Sequence, residues 1–245
     1  VLQFKKVFAL ATLLLAIGCV AMFFLNFDTA SCILYDLTND NPTISSNKQL
    51  WEKMNGFEKV KITALPKDYL AYSKLDSKKY APMVSGMEFY VLEKKDCYQK
   101  IVGDYRIKDF VARDKYYKNA AYFSDNNIYW GIDGRVLVKL LELRAALAEK
   151  GCDQNAINVN YGHRTPKMNE DAKGASKSRH IKGEAIDMVI GDIDKNGVYT
   201  SADKAIVLDL CERNIIKDQG GIGKYPGTRV VHIDVRGYRA RWDTF

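Results

Sequence analysis

Two apolar runs in this chain each carry a charge where a charge is hard to bury. Ala185-Ile186-Asp187-Met188-Val189-Ile190 reads as an interior strand with a carboxylate at its centre. Val230-Val231-His232-Ile233-Asp234-Val235 reads as a second strand, with His232 and Asp234 on one face because side chains two apart on a strand point the same way. An interior carboxylate has to be paired, hydrogen-bonded or bound to a cation. A partner stands just upstream in Ser178-Arg179-His180-Ile181-Lys182-Gly183-Glu184, where Gly183 permits a tight turn after His180. The chain has only three histidines, and two of them fall in these segments. His180, Asp187 and His232 are therefore candidate ligands of one metal. Two neutral imidazoles and one carboxylate leave zinc a net positive charge and an open position for water, which is the donor set of a catalytic site. Asp234 neighbours that centre, either as a general base or as an acceptor orienting His232 or an arginine. A competing metal reading takes His180, His232 and Asp234 as the triad of a non-haem iron site. The helical patterns around the site argue against the all-β cup that carries such triads.

The string S-x-H-x-x-G-x-A-x-D at residues 178–187 has company. Upstream stands Tyr161-Gly162-His163-Arg164-Thr165-Pro166-Lys167-Met168-Asn169. Downstream, Gly220-Gly221-Ile222-Gly223-Lys224-Tyr225-Pro226 leads into Val231-His232-Ile233-Asp234, and Arg236-Gly237-Tyr238-Arg239-Ala240-Arg241-Trp242 follows. In this order the motifs resemble the D-Ala-D-Ala carboxypeptidase type of zinc peptidases, cell-wall enzymes related in fold to lysostaphin-type enzymes and the hedgehog signalling domain. The resemblance implies an α+β fold with an antiparallel sheet and flanking helices over residues 105–245. It also implies hydrolysis of peptidoglycan peptides, as a D,D-carboxypeptidase or a cross-link endopeptidase, with Zn2+ held by His180, Asp187 and His232. Arg164 matches an arginine that faces substrate or the developing oxyanion, and Ser178 a hydrogen-bonding serine beside the first ligand. Two departures stand out. His163 replaces a tyrosine of the relatives, which makes it a third imidazole near the metal or a wall of the pocket. Relatives also place an acidic residue shortly before the last histidine, where this chain has Thr228, Arg229, Val230 and Val231, so Asp234 is the nearest acidic candidate for the base. A hedgehog-like binding module that keeps the metal without turnover is the competing class.

Residues 192–203 interrupt the pattern with the spacing of a calcium loop. Asp192, Asp194, Asn196, Thr200 and Asp203 supply oxygen at the first, third, fifth, ninth and twelfth positions, Val198 offers its carbonyl at the seventh, and Gly197 takes the sixth. The apolar run 205–211 that follows reads as a helix, as in EF-hand and dockerin loops. Ca2+ is therefore expected there; the alternative is an acidic turn capping that helix.

The N-terminus sets the location. After Lys5 and Lys6, residues 7–25 form an uncharged apolar run, long enough for one membrane helix in an anchor segment 1–35. A lipoprotein leader ending at Cys19 is the rival. Both place the rest outside the cytoplasmic membrane, in the periplasm or its equivalent within a bacterial cell envelope. Residues 36–104 are expected to form an accessory region, with strands at 58–65 and 87–93 and a polar loop or linker at 67–79. Apolar positions Val136, Leu137, Leu140, Leu141, Leu143 and Leu147 predict an amphipathic helix over 133–150. Cys97, Cys152 and Cys211 leave room for at most one bridge in the exported part. The net charge of +7 is spread along the chain as a solvated face, and no pattern indicates nucleic-acid binding.

Overall fold

A computed structural model describes residues 27–111 and 126–244. The apolar run 7–25 lies outside the described residues, and among them no helix is long and apolar enough to cross a membrane. The chain divides into two units, Val1–Pro42 and Thr43–Phe245. In the first, a helix spans Phe27–Thr38 and exposes Ile33, Leu34 and Leu37.

The second unit is a mixed α+β structure. Its strands are β1 (Lys59–Lys61), β2 (Glu88–Leu92), β3 (Lys100–Val102), β4 (Tyr105–Arg106), β5 (Ile128–Trp130), β6 (Ile157–Tyr161), β7 (Ala185–Ile190), β8 (Gly221–Gly223), β9 (Val230–Asp234) and β10 (Ala240–Trp242). Five of them form the main sheet in the order β10-β8-β9-β7-β6, antiparallel except for the parallel β10–β8 edge pair. A three-stranded antiparallel sheet, β1-β2-β5, and the pair β3-β4 complete the strand inventory among the described residues. The division expected at 104/105 falls between β3 and β4, which pair with each other, and β2 pairs with β5. Residues 43–104 thus share one compact unit with the residues that follow.

The helix Gly134–Glu149 starts where Asp133 accepts the Arg135 N–H at its N-cap, and it buries the anticipated stripe from Val136 to Leu147. It buries Arg144 as well, whose guanidinium lies 4.8 Å over the Tyr105 ring and donates to Gln154 O and Asn155 Oδ1. Residues 67–79, expected to be a loop, contain the helix Lys67–Ser73. Pro66 opens it, Tyr69 and Ser73 turn inward, and the Tyr69 ring packs tilted at 4.9 Å against Tyr129, while Lys67, Asp68, Lys78 and Lys79, which made the stretch look like a linker, face out. On the main sheet, Ile186, Met188, Ile190, Val231 and Ile233 alternate with the polar centre and are fully buried. Each contributes about 1.5–3 kcal/mol relative to exposure. That apolar side gives the polar side a rigid floor.

Candidate metal centre

Strand register lines up the site. Tyr161 pairs with Asp187, Asp187 with His232, His232 with Gly223, and Gly223 with Trp242, so one row crosses all five strands of the main sheet. Directly paired residues project to the same face, and the row therefore carries a carboxylate and an imidazole between two aromatic rings. Gly223 is the necessary gap: a Cβ there would lie 2.8–3.0 Å from the Trp242 indole. Without it the indole could not lean over β8 to within 5.1 Å of the His232 ring.

His180 enters from a 3-10 turn, Arg179–Lys182, that ends at Gly183 with φ +68. A Cβ at Gly183 would meet Gly131 O at 1.8 Å, so both the backbone conformation and the space require glycine. The turn delivers His180 Nε2 to 3.2 Å from His232 Nδ1 and 3.2 Å from Asp187 Oδ1, and the latter two atoms are 2.8 Å apart. Ligands bonded to zinc at about 2.0–2.1 Å with tetrahedral angles stand roughly 3.3 Å from one another. These three atoms form one face of such a tetrahedron.

The far edge of each ring is also fixed. His180 Nδ1–H donates to Gly162 O at 2.7 Å, and His232 Nε2–H donates to Asp234 Oδ2 at 3.2 Å, because a carbonyl and a carboxylate only accept. The opposite nitrogens are thereby turned towards Asp187, which is how outer partners orient metal-ligating histidines. Burial lowers the His180 pKa despite the nearby Asp187. Burial also opposes charge on His232, but the carboxylates of Asp187 and Asp234 on its two nitrogens outweigh this and raise its pKa. Asp187 stays well below the usual carboxylate range, because the two histidines override its own burial.

Asp234 is fully buried behind His232. Its Oδ1 accepts from Gly221 N, Arg236 N and Arg236 Nε, and its Oδ2 accepts from an Arg236 terminal nitrogen and from His232. Burial would raise its pKa, yet His232 and Arg236 hold it far below the ordinary value. Both oxygens of this carboxylate are engaged by donors, and it lies on the ring edge away from Asp187. Of the two roles open at Asp234, general base and orienting acceptor, these hydrogen bonds fit the orienting one.

Arg164 sits beside the cluster, donating to Asp187 Oδ2 at 2.6 Å with its guanidinium 4.0 Å over the Tyr161 ring. Its Nε is buried without a partner among the described residues. His163 is outside the cluster. Its Nδ1 accepts from Gly131 N, its ring meets Phe89 edge-on, and burial with the neighbouring His180 pushes its pKa down to about 3. It is a neutral, buried residue. Ser178 precedes the His180 turn, and its carbonyl accepts from Ile181 N while its hydroxyl leaves the turn uncapped.

Residues 125–234 match the Peptidase M15 family. That family is of the zinc D-Ala-D-Ala carboxypeptidase type, and the segment similar to it contains His180, Asp187, His232 and Arg164. No curated protein and no solved structure matches the chain.

The matched segment also holds the acidic loop. Asp192, Asp194 and Asp203 bring carboxylate oxygens within 4.8 Å of one another. Asp192 accepts from Asn196 N and Gly197 N, Asp194 from Asn196 N, and Asn196 Oδ1 from Val198 N. Asp203 is buried, with Oδ1 taking the Ile193 and Asp194 N–H groups and Oδ2 taking Thr200 N and Oγ1. Thr200 and Asp203 thus form the N-terminal capping box of the helix Ser201–Leu210. Trp242, Tyr161, Arg236 and the Gly162 carbonyl join the centre although sequence reasoning gave them no role there. Only the register across five strands reveals them.

Proposed function

We propose that this chain is a zinc metallopeptidase that hydrolyses peptide bonds of bacterial peptidoglycan outside the cytoplasmic membrane. The family match supports the hydrolase class. The observation that supports zinc is the near-tetrahedral spacing of His180 Nε2, His232 Nδ1 and Asp187 Oδ1, each ring being fixed from behind. When bound, zinc supplies Lewis acidity, lowering the pKa of water and polarising a carbonyl. The chain's own residues do the rest. Gly162 O and Asp234 hold the two rings in the ligating tautomer, and Arg236 fixes Asp234. Arg164 orients Asp187 through its hydrogen bond to Oδ2, and its unfilled Nε–H is a donor for a substrate oxygen. The apolar run 7–25 behind Lys5 and Lys6 supports attachment and export. The register of residues 192–203 and its three grouped carboxylates support calcium as a structural ion.

The full chain loaded with zinc should cleave cross-linked or linear peptidoglycan peptides, and Arg164→Ala should keep the metal and lose about 10²–10³ in kcat. Loaded protein of native fold that cleaves neither peptide, in an assay where a related peptidase does, would sink the reading. The second reading, a metal-bearing binding module, is favoured by one observation: Thr228, Arg229, Val230 and Val231 lead into His232, and Asp234 is fully engaged. Binding of muropeptides without turnover would establish it.

A further inference from the structure

We propose that a basic groove beside the His180 turn holds the free carboxylates of the peptidoglycan peptide whose bond is cut at the centre. The inference rests on the peptidase reading above and says how that site takes its substrate. Three observations carry it. The first is position. One wall of the groove is the short helix Ala81–Val84 with Lys79 before it, and the other is Ser176, Lys177 and the 3-10 turn Arg179–Lys182 that carries His180. The walls enclose about 420 Å³, and the lining holds four cations, Lys79, Lys177, Arg179 and Lys182, with no carboxylate. Pro82, Met83 and Lys182 also line a second cleft of about 620 Å³, where acidic groups first appear. Arg179 and Lys182 flank His180 on one turn that rises about 2 Å per residue, so a few residues of extended peptide, at about 3.3 Å each, span from centre to groove.

The second is that the charges are unspent. Residues 172–183 contain Lys173, Lys177, Arg179 and Lys182 and no acid. Arg179 is engaged, donating to Glu184 at 2.8 Å and to the Tyr238 hydroxyl at 3.0 Å. Lys79 comes only within 3.7 Å of Glu170, a carboxylate that already takes Lys74 at 2.6 Å and the Tyr80 hydroxyl at 3.0 Å. Lys177 and Lys182 have no ion pair among the described residues. The arginines of the centre, by contrast, are matched, Arg164 with Asp187 and Arg236 with Asp234. A cleft lined by one sign of charge focuses its field and draws in the opposite charge.

The third is that the groove has a fixed width, because both walls hang on the helix Pro166–Asp171. Lys74 and Tyr80 tie the first wall to Glu170. Buried Asn169 ties the second, its Nδ2 donating to Gly174 O at 3.3 Å and to Ala175 O at 3.0 Å. A Cβ at Gly174 would stand 2.4 Å from Asn169 Oδ1, so glycine lets the loop close down on that amide. Like charges held across a fixed gap repel until an anion enters. Peptidoglycan peptides bring one, because their glutamate keeps a carboxylate outside the peptide chain. Residues 43–104 thereby supply one wall of a substrate subsite.

The experiment uses the full chain and two linear stem peptides that differ only in whether the free glutamate carboxylate is left ionised or amidated. Calorimetry on the zinc-free chain reads affinity without turnover, and the zinc-loaded chain gives kcat and KM. Wild type should bind the carboxylate peptide about tenfold more tightly than the amidated one. Lys177→Gln with Lys182→Gln should erase that preference and raise KM for the carboxylate peptide about tenfold, with kcat within about twofold, the pattern of an interaction equal in ground and transition states. Lys48→Gln with Lys150→Gln removes the same charge from exposed positions elsewhere and should leave the preference intact. A preference absent from wild type, or surviving in the groove variant, would overturn the proposal and leave the peptidase reading standing. Poly(glycerol phosphate) held by Lys177 and Lys182 more tightly than the carboxylate peptide would also overturn it, in favour of a phosphate polymer. Carboxylate-dependent binding by a wild type that cleaves neither peptide would support the groove and remove the peptidase reading.

Discussion

The His180–Asp187–His232 centre and the acidic loop at 192–203 lie within one stretch of chain, and both gather three possible ligands within 4.8 Å. They differ in where the rest of each side chain is spent. At the centre, the non-ligating nitrogens are committed outward, to Gly162 O and Asp234, so the remaining lone pairs converge on a common point. In the loop, the carboxylates are met by backbone N–H groups, and Asp203 has two donors on each oxygen. A cluster of acids becomes a cation site when something else orients it. When its own loop supplies the donors, the cluster is also a good turn.

Removing a ligand should break the comparison most sharply. His180→Ala or His232→Ala should abolish stoichiometric zinc and all peptidase turnover, whereas Asp192→Ala with Asp194→Ala should change neither. Elemental analysis after dialysis and a muropeptide assay read both. Zinc retained at full occupancy in either histidine variant would move the metal to other residues.

The contrast also shows what can be read from a sequence. The grouping of His180, Asp187 and His232 was legible because burying a charge in an apolar strand is costly, and Asp187 and His232 stood out against runs of Ile, Val and Met. The helix over 134–149 was legible from its leucine stripe. Two things were hidden. Helix Lys67–Ser73 is short and mostly polar, and it is stabilised by Tyr69 packing against a strand some sixty residues away. The row linking Tyr161 to Trp242 depends on pairing register, including a shift between Val159 and Tyr161 that local sequence does not specify. Asp234 was ambiguous for a related reason. Alternation put it on the face of His232, yet only the positions of Gly221 and Arg236 show that its oxygens are already filled.

Asp234→Asn sharpens that point. As an orienting acceptor replaced by an amide, it should weaken zinc binding by about 10–100-fold, with turnover recovering as zinc is raised. A base would behave in the opposite way, keeping zinc and losing turnover at every zinc concentration. Competition titration with a chelator, read alongside kcat, separates the two.

A smaller effect should appear with pH. In the zinc-free protein, protonated His232 lies between two carboxylates and its pKa is raised, so its contribution to stability is full below the ordinary histidine value of about 6.5 and is lost as pH climbs through the raised value. Zinc requires the deprotonated Nδ1, so stabilisation by the metal must grow over that same window. His180, with a lowered pKa, is neutral throughout and adds no competing proton. The gap in Tm between loaded and zinc-free protein should therefore widen from about pH 6 to pH 9, and the difference between the two forms cancels groups remote from the centre. A gap constant across that range would mean that His232 is not a ligand.

The smallest effect belongs to the loop. Calcium in excess should raise the Tm of the wild-type protein, because an ion bound only by the folded state stabilises it by RT ln(1 + [L]/Kd), about 2.7 kcal/mol at a hundred times Kd. In a unit of this size each kcal/mol moves Tm by only about 2–4 °C, so the expected shift is several degrees. Asp192→Ala with Asp194→Ala should remove it, since both carboxylates are exposed enough to re-aim at an ion while Asp203 stays bound to the helix cap. The two regions then differ in degree: the His180–Asp187–His232 trio is already oriented without an ion, and the loop would have to exchange backbone hydrogen bonds for one. An equal response in wild type and double variant, or none in either, would leave residues 192–203 as a capped turn and make the zinc centre the one cation site supported among the described residues.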